Sequence, residues 1–499
     1  MITICNHYVM ERRDFLRLGS GLLALATVSC SSSPPSGGGG RSGDAAWVAS
    51  NRLRIPPQLA PDANGRLALR LQTGTTEFVA GRPTPTWGVN GAHLGPTLRL
   101  TRGEQARMRV TNALPETTTV HWHGLHPPAV ADGGPHQPIA PGATWTPEWE
   151  VSNAPSTGWY HPHPHGATAT HVFRGVAGLV YVDDDASRGL AVPRDYGVDD
   201  IPVILQDRTI DADGQMEWDT RPNFGQMGED MLVNGTLHAF VDVDAQRVRL
   251  RLLNASNARM YNVGFADERT FHLIATDAGL LPEPVSLTRV ALGPAERAEI
   301  VVELRPSEPV VLTTAHGPER IDEGTFSLLE LRPAAQLRSS PPLPARLGGN
   351  GPLVAASGAT TRTFRLQGHD AINGQEMDMK RIDEVVPAGA VEIWEVENNV
   401  YSHNFHIHGL EFTILDRDGS PPHAWETGRK DTVHVPEKSR VRLAVATPRL
   451  ADAQHPYMYH CHILRHEDAG MMGQFVVVTP GAEAHTSRVL SGADHAGHL

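Results

Sequence analysis

Apolar and polar residues alternate along most of the chain with a two-residue period. Residues 106–112 (ARMRVTN), 248–254 (VRLRLLN) and 391–398 (VEIWEVEN) show it well, and each ends in asparagine. That period belongs to a half-buried β-strand. Further strands are expected at 203–206, 298–304, 310–314, 326–331, 440–445 and 474–478. The 3.6-residue helical period is weak throughout, while 48 glycines and 39 prolines supply turns. An Asn-Gly dipeptide at Asn90, Asn234 and Asn373 precedes each alternating strand, at intervals of about 140 residues. The pattern predicts an all-β protein of three successive repeats, each a sandwich or barrel.

Length agrees, since 499 residues suffice for about three domains. The repeats are expected at 46–190, 191–335 and 361–480, with a proline-rich linker over 336–360 and a disordered tail over 481–499. At the start, Arg12-Arg13 precedes an apolar run, 18–28, that is too short to span a bilayer. Residues 1–30 read as a twin-arginine signal, which implies that export machinery as a partner. The destination would be the periplasm or the outer face of the cell envelope. Cys30 follows a stretch like a lipoprotein cleavage box and is a candidate lipid anchor, with 31–45 as a flexible tether. A net charge of −13 argues against a nucleic-acid partner. Three cysteines exclude a disulfide scaffold. A monomer is expected.

The chain holds 26 histidines, and they sort by repeat. Counted from the strand-end asparagine, repeat 1 carries His121 and His123, and repeat 3 carries His406 and His408. At the matching offsets repeat 2 has Asn262 and Gly264, so it reads as a structural spacer without metal. His161/His163 and His460/His462 complete four His-x-His pairs. On a strand, residues i and i+2 share a face, so each pair offers two imidazoles side by side. One such pair is ordinary. Four pairs, divided between two homologous repeats, point to a metal cluster at their interface. Imidazole alone suits copper, zinc, iron or nickel. Cys461 chooses among them. It faces away from His460 and His462, as His403 faces away from His406 and His408. With His466 and Met471 beyond it, two imidazoles, a thiolate and a weak axial thioether make a blue-copper electron-transfer set.

The motifs HWHGL (121–125), WYHPHPHG (159–166), HNFHIHG (403–409) and YHCHILRHEDAGMM (459–472) resemble those of the multicopper oxidases. The likeness covers nearly the whole mature chain and is nearest to bacterial three-domain cuprous oxidases, bilirubin oxidases and laccases. It implies three cupredoxin-like Greek-key β-barrels and four copper ions. By this resemblance the type 1 copper is held by His403, Cys461, His466 and Met471, and the type 2 copper by His121 and His406. The type 3 pair is held by His123, His161, His163, His408, His460 and His462. His165 matches a position that is not a ligand, while His126, His136 and His171 read as outer or surface residues. Asp132 and Glu467 match acids that deliver the protons O2 reduction consumes.

The implied reaction couples one-electron oxidations to reduction of O2 to water. The reductant is either an organic donor or Cu(I). Cuprous oxidases of the family carry a methionine-rich insertion ahead of the third domain. Here the corresponding stretch, 362–383, is short and holds only Met377 and Met379, expected in a strand or turn. Asn399 and Tyr401 stand where those enzymes have an acid and a methionine. Phenolic, aminophenolic or bilirubin-like donors are therefore favoured over Cu(I). A copper-free structural relative is disfavoured by retention of all twelve ligands. A nitrite reductase would lack the four pairs, and a copper-storage protein would not need the His-Cys-His path.

Overall fold

The computed structural model describes residues 47–219 and 224–490. These residues form strands, with three short α-helices at Thr168–Arg174, Asp185–Arg188 and Leu464–Asp468. Six sheets make up three two-layered units, each closed around its own apolar core.

In the first unit, Arg82–Val89, Leu67–Val79, Gln105–Ala113 and Thr144–Trp145 form one sheet. Leu98–Thr101, Gly178–Asp183, Ser156–His161 and His121–His123 form the other. Leu69, Val110, Trp122, Tyr160 and Val180 meet between them. The third unit repeats the plan. Thr361–Gln367, Val391–Asn398, Ser439–Ala446 and Glu411–Arg417 face Met472–Val478, Asp452–Cys461, His403–Ile407 and Thr432–Val435. The middle unit is larger, with a six-stranded and a seven-stranded sheet.

The repeat is also a repeat of hydrogen bonds. In each unit the strand beside the Asn-Gly turn runs parallel to the alternating strand that ends in asparagine. Asn90, Asn234 and Asn373 all adopt positive φ, at 55°, 50° and 54°. Each accepts a strand N–H on its side-chain oxygen and donates its amide to a carbonyl two residues earlier in that strand. Asparagine tolerates the left-handed region because its short amide bonds the local backbone. The strand-end residues Asn112, Asn254 and Asn398 likewise each accept the N–H two residues on.

Three expected boundaries change. Residues 47–53 do not belong to the first unit. Asn51–Arg52 pairs in parallel with Ala239–Ala245, and Leu53 enters the middle core. The strand Phe326–Arg338 runs past residue 335 into the expected linker, because Ala245 still pairs with Arg338. The tail is not disordered over 481–490. Leu490 N–H bonds Lys380 O at 2.8 Å, and its side chain is buried with Ile382, Val385, Val476 and Val478. An apolar residue that can cover an open core edge gains more than its ordering costs. The signal (1–30), the tether with Cys30, and 491–499 lie outside the described residues.

Candidate metal centres

Two buried donor clusters lie on opposite sides of one strand. Asp452–Cys461 pairs with His403–Ile407 so that His460 opposes His406 and Cys461 opposes Phe405. Strand alternation then sends Cys461 to one side and His460 to the other.

On the first side, Cys461 Sγ lies 3.5 Å from His403 Nδ1 and 3.6 Å from His466 Nδ1. The two imidazole nitrogens are 3.2 Å apart. His403 comes from its strand and His466 from the helix Leu464–Asp468. Met471 is buried, and its backbone ties it to both neighbours. Cys461 N–H bonds Met471 O at 3.1 Å, and Met471 N–H bonds His466 O at 2.9 Å. Burial pushes the Cys461 thiol up to about 12 and His403 down to about 4. A thiolate here therefore calls for a neighbouring cation, which a bound metal supplies.

On the other side, eight imidazoles are packed together, none more than 1% exposed. Within the four His-x-His pairs the ring centroids are 5.6, 6.1, 5.0 and 5.4 Å apart. The nearest contacts join the first and third units. His121 stacks on His408 at 3.8 Å and His123 on His406 at 3.7 Å. His460 Nε2 lies 3.1 Å from both His163 Nε2 and His408 Nε2. Burial, joined by the neighbouring rings, holds His123, His406, His408 and His462 well below the ordinary histidine range. Neutral imidazole is the form that binds a metal.

One nitrogen of most rings is occupied by an oxygen, which settles which nitrogen faces inward. His121 Nδ1 bonds Asp132 O, His161 Nδ1 bonds Pro162 O, and His460 Nδ1 bonds Cys461 O. His406 Nδ1 bonds Asp431 O, and His408 Nδ1 bonds the Asp132 carboxylate. His123 is the exception, held through Nε2 by Asp431 Oδ1 at 3.1 Å. The inward atoms His121 Nε2, His123 Nδ1, His161 Nε2 and His406 Nε2 are buried without a partner, as are both ring nitrogens of His462. Orphaned buried nitrogens are costly unless they ligate a metal. The nitrogen-only cluster and the His₂Cys group with a nearby methionine both fit copper.

Asp132 and Glu467 are both buried at this cluster. The Glu467 carboxylate lies 3.3 Å from His163 Nδ1 and 3.2 Å from His460 Nδ1. Burial raises its pKa, but those two rings outweigh it and bring it down to about 2. His165 is exposed. His136 bonds Gln474 across two units, and the His126 N–H bonds Asn153. His171 is not at the surface. It is fully buried against Trp87, bonded to Thr118 and Glu116. Sequence reasoning missed Asp431, Thr432 and Arg297. Asp431 shares no offset with Asp132, so counting along the chain gives no signal for it.

A family profile described as multicopper oxidase matches residues 70–187, and a second with that description matches 352–481. "Cell division protein FtsP" of Sodalis glossinidius is 37% identical over 85% of this chain and 92% of its own length. "Multicopper oxidase mco" of Staphylococcus aureus is 34% identical over 86% of this chain and 92% of its own. Among solved structures, the laccase-like multicopper oxidase CueO from the lignin-degrading Ochrobactrum sp. superposes with a TM-score of 0.80 at 37% identity. That match covers 85% of this chain and 100% of the other. A laccase from Pediococcus acidilactici gives 0.79 at 35%, covering 86% and 93%. A chain that matches these proteins along nearly their whole length, and folds as they do, belongs to the multicopper oxidase family.

Proposed function

We propose that the protein is a laccase-like oxidase with four coppers that takes single electrons from phenolic, aminophenolic or bilirubin-like donors and reduces O2 to water. The type 1 ion is assigned to His403, Cys461, His466 and Met471, and the type 2 ion to His121 and His406. The type 3 pair is assigned to His123, His161 and His462, and to His163, His408 and His460. Copper, when bound, supplies the one-electron steps and the electron storage that O2 reduction needs. The chain supplies the connection, because Cys461 is bonded through the backbone to His460 and His462. It also supplies proton holders at the cluster. Asp132 accepts from His408 Nδ1 through one oxygen while its other, Oδ1, is unpartnered. Glu467 sits against two further ligand rings.

A cavity supports the single-ring members of this donor class. A space of about 170 Å³ borders His466 and is lined by Phe224, Ile321, Tyr401, Glu319 and Glu437 among others. A cavity of about 150 Å³ holds a benzene-sized ring. Phe224 and Tyr401 meet edge to face at 5.3 Å, offering an aromatic wall. The two carboxylates can accept the proton an oxidised phenol or amine releases. Cu(I) prefers thioethers, and among the described residues no methionine lines this cavity. Met377 and Met379 lie instead in a loop, half-buried, with Met377 N–H bonded to Gly470 O.

The deciding experiment compares kcat/KM for phenols, aminophenols and Cu(I) on the copper-loaded chain. Higher values for the organic donors are expected, and a preference for Cu(I) would make the protein a cuprous oxidase. A colourless, copper-poor protein after loading would sink both readings. It would favour a structural role, which leaves the inward imidazole nitrogens buried for nothing. Export by the twin-arginine route, with Cys30 as lipid anchor, completes the proposal. Replacing Arg12 and Arg13 by lysine should strand the protein in the cytoplasm, as read by cell fractionation.

A further inference from the structure

The imidazole cluster follows an approximate twofold plan. Asp132 of the first domain accepts His121 Nδ1 on its carbonyl at 3.0 Å and His408 Nδ1 on its carboxylate at 2.7 Å. Asp431 of the third accepts His406 Nδ1 on its carbonyl at 2.8 Å and His123 Nε2 on its carboxylate at 3.1 Å. Each aspartate thus holds a ring of its own domain with main chain and a ring of the other domain with its side chain.

The likeness ends at the carboxylates. Arg297, from the middle domain, donates Nη1–H to Asp431 Oδ1 at 2.7 Å and Nη2–H to Oδ2. Its other donors go to Thr157 O of the first domain at 3.0 Å, Ala295 O at 3.0 Å and Asp277 O at 2.9 Å. All five guanidinium N–H groups are used, on acceptors from three domains, at a residue 1% exposed. Among the described residues Asp132 has no cationic partner of this kind, and its Oδ1 is unpartnered. The glycines that follow the two matching His-x-His pairs carry the same difference. A Cβ on Gly124 would stand 2.5 Å from Arg297 Nη2 and 2.9 Å from Asp431 Oδ2. A Cβ on Gly409 would stand 2.5 Å from the ring of Tyr457. One corner of the cluster makes room for an ion pair and the other for a neutral phenol.

We propose that Arg297, in the domain without copper ligands, is a positioning residue for the trinuclear centre, acting through Asp431. A bidentate guanidinium fixes the carboxylate in one plane. The carboxylate then keeps the proton of His123 on Nε2 and turns its Nδ1 lone pair inward, where that atom has no other partner. Thr432 Oγ1 reinforces the arrangement, donating to Asp431 Oδ1 at 2.7 Å and lying 3.2 Å from His123 Nε2. Lysine could replace the charge but not the planar fork. The middle domain is therefore more than a spacer.

The inference rests on the copper reading, and the test separates the two. The full chain is loaded with copper as wild type, Arg297→Met and Arg297→Lys. Copper per chain under chelator challenge, the blue thiolate band and the type 2 electron paramagnetic signal are compared. In Arg297→Met the blue band should persist while trinuclear copper is held about 10- to 100-fold more weakly. Arg297→Lys should recover part of that copper with a shifted type 2 signal. Wild-type retention and spectra in Arg297→Met would overturn the proposal. So would parallel loss of blue and trinuclear copper in both variants, which would make Arg297 a packing residue only. Where Arg297→Met yields no folded protein, Arg297→Lys decides by the same signals. A wild-type chain that took up no copper would overturn the copper reading itself.

Discussion

Around Asp132 and around Asp431 the imidazole cluster is built from the same parts. In each corner an aspartate carbonyl grips one ring, its carboxylate grips another, and a histidine stack crosses the domain boundary. What differs is charge. Asp431 is neutralised by Arg297, while Asp132 keeps a bare buried oxygen. A buried carboxylate that is paired and fully bonded is a fixed strut. One left part-satisfied is a cost that a protein retains for chemistry. Two homologous domains thus present different corners, and the difference comes from a third that supplies none of the assigned ligands.

The largest expected effect separates the two metal centres on which this comparison depends. Cys461→Ser should abolish the blue band and turnover while the trinuclear copper largely remains, as metal analysis would show. Loss of all copper would merge the two centres into one. Next comes the pair of corners. Asp132→Asn should lower turnover about 100-fold with copper retained. Asp431→Asn should instead loosen trinuclear copper about 10-fold. Matching phenotypes, by stopped-flow and metal retention, would erase the distinction.

A third test concerns how the middle domain grips its neighbours. Towards the third domain it uses Asp277 and Glu296, which pair with Lys430, alongside Arg297. Towards the first it uses Glu299, which accepts from Thr157 Oγ1 at 2.6 Å. Burial raises the Glu299 pKa, but Arg249 and Arg251 outweigh it and bring it to about 2. The folded value lies below the unfolded one of about 4.3. The stabilisation is therefore complete above that value and is lost as pH falls towards about 2. The melting temperature should drop across this window, and Glu299→Gln should flatten the drop. A wild-type melting curve that ignores acid would show that the Glu299 ion pairs, which hold the carboxylate at this boundary, contribute nothing. The smallest effect is at the edge of the third domain. Leu490→Ala should cost about 2 kcal/mol in denaturant unfolding. An unchanged midpoint would return 481–490 to the status of a loose tail.

Much of this was legible along the chain. The Asn-Gly turns, the asparagine-ended strands and the placing of Cys461 opposite His460 all depend on local geometry. So does the step from His403 to His406, which puts the two rings in different centres. The helix carrying His466 and Glu467 was less legible, because five residues are too few to show a helical period. Residues 47–53 and 481–490 were misplaced because their partners, Ala239–Ala245 and the 380–385 segment, are distant in sequence. The 26 histidines did not announce that His171 is a core residue, since its acceptors are met only on folding.

The sequence by itself determined the three repeats, the two donor sets and the lack of a His-x-His pair in the middle repeat. A two-residue period and fixed offsets encode these directly. Only the tertiary structure decided that Arg297 reaches Asp431 across 134 residues and that Asp431 reaches His123 across 308. It also decided that, among the described residues, Asp132 is left without such a partner. Those facts depend on three domains closing around one buried point, where desolvation makes every unpaired charge count, and no periodicity along a chain records that closure.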